Sequence, residues 1–125
     1  MKTSLYILYL FFTILLSPTD ISEEIVAAIK SGKSSELVKY FDEKISIKII
    51  NQEDVLSKSQ AEANLNYFFS KHSVKSYTSS QSGNSVNSSA QYITGILDTS
   101  NGKFKISILI KRNLITQLRI EPYNE

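Results

Sequence analysis

The chain of 125 residues contains no cysteine. No disulfide can staple it, so its stability rests on apolar packing. A lipid anchor after a leader would need a cysteine, so a bacterial lipoprotein is excluded. Histidine is present once, as His72. One histidine, no cysteine and scattered carboxylates give no metal-ligand spacing. The many serines lack a Gly-x-Ser-x-Gly elbow, and a triad would have to recruit His72. Charge of one sign is not in excess: 14 Lys and Arg face 12 Asp and Glu, a net +2. A nucleic-acid binder is expected to carry a basic patch or stripe, so nucleic acid is not an expected partner. Lys103, Lys105, Lys111, Arg112 and Arg119 do gather toward the end of the sequence. They alternate with apolar residues, as on the solvated face of a sheet.

What is present begins with Lys2 and an apolar run, Leu5 to Leu16. The run is short of the roughly 20 residues of a membrane-crossing helix and has the length of the apolar region of a secretory signal peptide. Ser17-Pro18-Thr19 supplies small residues at a cleavage site, expected between Thr19 and Asp20. Residues 1–19 are therefore expected to be a signal peptide and 20–125 a single domain. Loss of Lys2 takes the net charge from +2 to +1. The alternatives are an uncleaved signal anchor, the only membrane attachment expected, and a buried helix, which ought to show a polar face. The expected location is exported, periplasmic or secreted.

Asp20-Ile21-Ser22-Glu23 has the pattern of a capping box opening a helix, with Ile21, Ile25, Ala28 and Ile29 on one face, Val26 at its edge, and Gly32 as the stop. A second helix is expected from Ser34 or Ser35 through Leu37, Val38, Tyr40 and Phe41, ended by Asp42-Glu43-Lys44. Ile45, Ile47 and Ile49 alternate with polar residues as in a strand. Val55-Leu56 reads as a short edge strand. Ser57-Lys58-Ser59-Gln60 is a second capping box, opening a helix to about His72 that buries Ala61, Leu65, Phe68 and Phe69. Strands are then expected at 74–82, 90–99, 103–111 and 114–121, with a polar loop at 82–89.

Asn101-Gly102 reads as a two-residue hairpin turn. It pairs Leu97 with Ile106, Gly95 with Ile108 and Ile93 with Ile110 on a core face, and Asp98 with Lys105 on the other. About three loop residues near Arg112-Asn113 bring Leu118 and Ile120 to the core face. Ile96, Leu109 and Ile115 then interrupt the polar outer face. Three helices against one curved antiparallel sheet make an α+β layer architecture.

Several stretches are similar to a family of small exported bacterial proteins, domain of unknown function 4783: residues 25–32, Leu37-Val38-Lys39-Tyr40-Phe41, 57–62, Phe68-Phe69, Thr99-Ser100-Asn101-Gly102-Lys103-Phe104 and Gln117-Leu118-Arg119-Ile120-Glu121. The order of elements resembles the cystatin-like roll of nuclear transport factor 2 and ketosteroid isomerase. The resemblance implies that fold, export and no established activity. In such a roll the sheet and helices enclose a cone. An isomerase needs a carboxylate base and an acid-plus-tyrosine oxyanion hole there. The expected core face, Ile93, Gly95, Leu97, Phe104, Ile106, Ile108, Ile110, Leu118 and Ile120, holds no ionisable group, and Asp98 falls outside it.

No catalytic, cofactor-binding or metal-ligating residue is therefore assigned, and no cofactor is expected. His72 reads as a helix-terminal partner of the last carbonyls. Asn87-Ser88-Ser89 matches a glycosylation sequon that Asn/Ser-rich loops produce by chance. Tyr40, Phe41, Tyr67, Phe68 and Phe69 are core aromatics or the lining of a cone mouth. The expected function is an exported, non-enzymatic binding or interaction domain for a small apolar ligand or a protein. The alternatives are an enzyme with a pocket acid–base pair and a homodimer built on the outer sheet face.

Overall fold

The computed structural model describes residues 21–84 and 90–124. The expected leader, its cleavage site, the Asp20 cap and the Asn87 sequon lie outside the described residues.

Helix α1 (Ile21–Ser31) buries Ile25, Ala28 and Ile29, the face its spacing predicts. It ends at Gly32, whose φ of +67° suits a residue without a Cβ and whose N–H donates to the Ile29 carbonyl at 3.1 Å. Helix α2 (Ser34–Leu37) is one turn long and tightens into a 3-10 turn at Val38–Tyr40. The expected continuation to Asp42-Glu43-Lys44 is not formed. Strand β1 (Phe41–Ile49) already begins at Phe41, because Phe41 pairs with Ile115 and is buried in the core. Tertiary packing overrides helix propensity there.

Strand β2 (Gln52–Ser57) pairs back on β1 and is longer than the two residues expected. Helix α3 (Lys58–Lys71) opens with the expected capping box. The Gln60 N–H donates to Ser57 Oγ at 3.3 Å, and the Ser57 N–H donates to Gln60 Oε1 at 3.1 Å. Strands β3 (Val74–Asn84), β4 (Gln91–Thr99), β5 (Gly102–Lys111) and β6 (Leu114–Pro122) complete the chain.

The six strands form one sheet in the order β2-β1-β6-β5-β4-β3. It is mixed rather than wholly antiparallel as expected, since β1 and β6 run parallel. These two strands are far apart in sequence, and parallel neighbours need a long crossover; here it runs through β2, α3 and three antiparallel strands.

The β4–β5 hairpin is offset by two residues from its expected register. Leu97 pairs with Phe104, Gly95 with Ile106 and Ile93 with Ile108, while Asp98 faces Lys103 rather than Lys105. The cause lies in the turn. A two-residue turn centred on Asn101-Gly102 needs positive φ at both, yet only Gly102 has one, at +111°. The pair Thr99–Gly102 closes the loop instead, with Thr99 Oγ1 donating to the Gly102 carbonyl at 2.7 Å and accepting from the Asn101 N–H at 3.1 Å. An offset of two preserves the faces, so the seven expected core-face positions of β4 and β5 are buried, as are Leu118 and Ile120 of β6.

The β5–β6 turn has two residues, not three: Arg112 and Asn113, at φ +53° and +63°. A register shift follows, with Ile110 opposite Ile115 and Leu109 opposite Gln117. The extra residue, Thr116, reverses the parity of Ile115. That side chain is buried in the core instead of standing on the outer face.

Candidate functional site

Most inward side chains of β1, β4, β5 and β6 are buried. At the β2 end the sheet's inner face opens into a cleft of about 340 Å³ between α3 and the β1–β2 hairpin. The sequence builds this opening from two periodicities. On α3, Asn64, Tyr67, Phe68 and Lys71 recur at helical spacing and form one stripe along the cleft. On the sheet, Ile47 and Ile49 face inward from β1, and their partners on β2 are Asp54 and Gln52. Paired residues share a face, so β2 turns two polar side chains inward where an apolar pair would have closed the sheet against the helix.

The floor is Ile47, Ile49, Ile50 and Phe68, and the rim is Asn51, Gln52, Asp54, Asn64, Tyr67, Lys71 and His72. Ile50 stands at the hairpin tip with φ +59°, a conformation costing a β-branched residue about 1–2 kcal/mol. Its N–H donates to the Ile120 carbonyl at 2.8 Å, tying the tip to β6.

Of the expected mouth aromatics, Tyr67 and Phe68 line the cleft, Tyr67 being 67% exposed. Phe41 is buried in the core, and Tyr40 and Phe69 pack against its margin. Lys71 Nζ lies 5.7 Å from the centre of the Tyr67 ring, a cation–π arrangement at the rim. His72 takes the helix-end role expected of it. Its Nδ1 is 2.9 Å from the Phe68 carbonyl, and a carbonyl only accepts, so Nδ1 carries the proton. The ring stacks on Phe68 at 4.3 Å and meets Phe104 edge-on at 5.0 Å. Among the described residues no group of His, Asp and Glu is arranged to hold a metal ion.

Among the described residues one titratable group is buried in the core. Tyr77 on β3 is 5% exposed, and its hydroxyl has no hydrogen-bond partner among the described residues. Burial pushes its phenol up to about 12, against a smaller opposing pull from the nearby Ser79 side chain, which does not reach hydrogen-bonding geometry with the hydroxyl. It does not join the cleft, because β3 and β2 are opposite edges of the sheet. Tyr77 thus stays outside the cleft that Asp54, Lys71 and His72 line. Asp54 and Lys71 were not legible as a pair: the signal, polar residues at inward positions of an edge strand, exists only once the hairpin register is known.

The outer face divides in two. Toward β2, Lys48 and Arg119 each reach Glu121 at 3.3 Å, and Arg119 reaches Glu53 at 3.6 Å. Hydrogen bonds from Arg119 and then Lys48 hold the Glu121 carboxyl below the usual range. Toward β4, Tyr92 is exposed, and Ile96 and Leu109 are half-buried. The patch expected from Ile96, Leu109 and Ile115 has lost Ile115 to the core.

The profile of the family Domain of unknown function (DUF4783) matches residues 22–121. The chain belongs to the DUF4783 family. A crystal structure of a DUF4783 protein from Bacteroides uniformis is 32% identical, with a TM-score of 0.79 over 85% of this chain and 100% of that one. An NTF2-like protein of unknown function from Cytophaga hutchinsonii is 12% identical, with a TM-score of 0.60 over 83% of this chain and 88% of that one. A Nostoc punctiforme domain of unknown function with a cystatin-like fold is 12% identical, with a TM-score of 0.62 over 84% of this chain and 74% of that one. The last two likenesses are of fold alone. No curated protein matches the chain. This DUF4783 domain thus has the cystatin-like, NTF2-like architecture that its sequence resembles.

Proposed function

We propose that this DUF4783 protein is an exported, non-enzymatic binding domain, and that its cleft between α3 and the β1–β2 hairpin holds a small ligand with an apolar body. The observation that carries the reading is the cleft itself, about 340 Å³ over a floor of isoleucine and phenylalanine with polar groups confined to the rim. Binding sites for small molecules have this composition, and the volume falls at the small end of their range. Export rests on Lys2, the apolar run Leu5 to Leu16 and the small residues before Asp20. Amino-terminal sequencing of the secreted or periplasmic protein is expected to begin at Asp20.

The test of binding is a fluorescence titration with N-phenyl-1-naphthylamine, a neutral apolar probe. A saturable rise is expected, and Asn64→Trp, which fills the cleft from an exposed helix position, is expected to abolish it. A probe signal that survives Asn64→Trp in a folded variant contradicts the assignment.

A second reading, an enzyme with a pocket acid–base pair, is favoured by one observation: Asp54, Lys71 and His72 share the rim. Against it, Asp54 and Lys71 stand in water, and the His72 ring is committed to the Phe68 carbonyl and two phenylalanine faces.

A further inference from the structure

The cleft has opposite charges on its two walls. Asp54 projects from β2, on the same side of the sheet as Ile47. Lys71 projects from the last turn of α3 and lies against the exposed Tyr67 ring. Both are exposed, both line the same cleft, and no salt bridge joins either to another described residue. They are also the only carboxylate and the only ammonium of the lining. Between them the floor is apolar.

Asp54 has a bland explanation. An inward-pointing charge on an edge strand discourages pairing with another chain. That role is met equally by lysine and asks for no cation on the facing helix. Nor does it explain why Gln52, the next inward residue of β2, is also polar. One anion and one cation across an apolar floor fit a ligand that carries the complementary pair, since opposed charges give recognition and register.

We propose that the cleft binds a small zwitterion with an apolar body: a free apolar or aromatic amino acid, or a dipeptide of such residues. The ligand's ammonium meets Asp54, its carboxylate meets Lys71, and its side chain rests on Ile47, Ile49 and Phe68. Charge-assisted hydrogen bonds at both ends set the orientation. This rests on the reading of the cleft as a ligand site and adds the ligand's chemistry to it.

The test is calorimetric titration of the mature protein with four probes: L-phenylalanine, L-leucyl-L-phenylalanine, N-acetyl-L-phenylalanine and L-phenylalaninamide. The expected result is that one of the two zwitterions binds at least tenfold more tightly than either capped form. Which one binds more tightly tells amino acid from dipeptide. Asp54→Asn is expected to remove the preference over the N-acetyl form and leave the preference over the amide; Lys71→Gln is expected to do the reverse. Both residues are exposed, so neither change threatens the fold. Capped and zwitterionic probes binding equally, or Asp54→Asn leaving zwitterion affinity unchanged, would overturn the proposal. Binding of N-phenyl-1-naphthylamine in the cleft would then leave the apolar site standing without its charge selectivity. Absence of every probe, the neutral one included, would overturn both.

Discussion

The ring of Tyr77 lies over Gly95, diagonally across the β3–β4 ladder. A Cβ built at Gly95 would collide with the Tyr77 hydroxyl and ring and sit 2.6 Å from the Thr78 carbonyl. Gly95 is therefore required by a close approach, as glycine within a strand often is. Gly95→Ala is expected to destabilise the domain by about 3 kcal/mol through overpacking, measured by urea unfolding. Tyr77→Phe is expected to do the opposite. It deletes a buried hydroxyl without a partner, which is worth about 1 kcal/mol, and a loss of stability would mean that the hydroxyl is satisfied.

The same phenol makes alkaline stability depend on Tyr77. Its value is raised from the ordinary 10.0 to about 12, so the folded state holds the proton more tightly than the unfolded one. The resulting stabilisation is complete below the unfolded value and is lost as pH rises through the folded one. An absorbance titration at alkaline pH is expected to show one tyrosine ionising late, and Tyr77→Phe to remove that late phase.

Glu121 acts at the other end of the scale. Arg119 and Lys48 lower its value, so its contribution is present above the ordinary carboxylate range, roughly pH 4.3, and is lost as pH falls through the lower folded value. Glu121→Gln is expected to make the acid-unfolding curve less steep, and high salt to have a similar effect, because this network stands on the surface.

At the start of α3 the reciprocal bonds of Ser57 and Gln60 satisfy two backbone donors. Ser57→Ala is expected to cost about 1 kcal/mol in thermal or chemical unfolding. The helix positions one wall of the cleft, so the same variant is expected to weaken probe binding modestly.

Much of this architecture can be read from the sequence because local and periodic signals agree. Ser57 and Gln60 announce the helix they cap. Gly32 stops α1, and the alternation from Ile93 to Leu97 and from Phe104 to Ile110 marks the core face. What could not be read depends on single backbone angles and non-local pairing. Positive φ at Gly102 alone moves a hairpin by two residues, and one bulged residue at Thr116 sends Ile115 into the core. Phe41 reads as helical until its partner Ile115 is known. The cleft was hidden for the same reason. Asp54 and Lys71 are 17 positions apart, and only the β1–β2 register and the helix crossing put them on facing walls.

The cleft as a ligand site is tested most directly by amide chemical-shift mapping of the ¹⁵N-labelled protein titrated with N-phenyl-1-naphthylamine. The shifts are expected to concentrate at Ile47, Ile49, Asn64, Tyr67, Phe68 and Lys71 and to saturate together. Shifts centred on Tyr92, Ile96 and Leu109 of the outer face, or none at saturating probe, would contradict it.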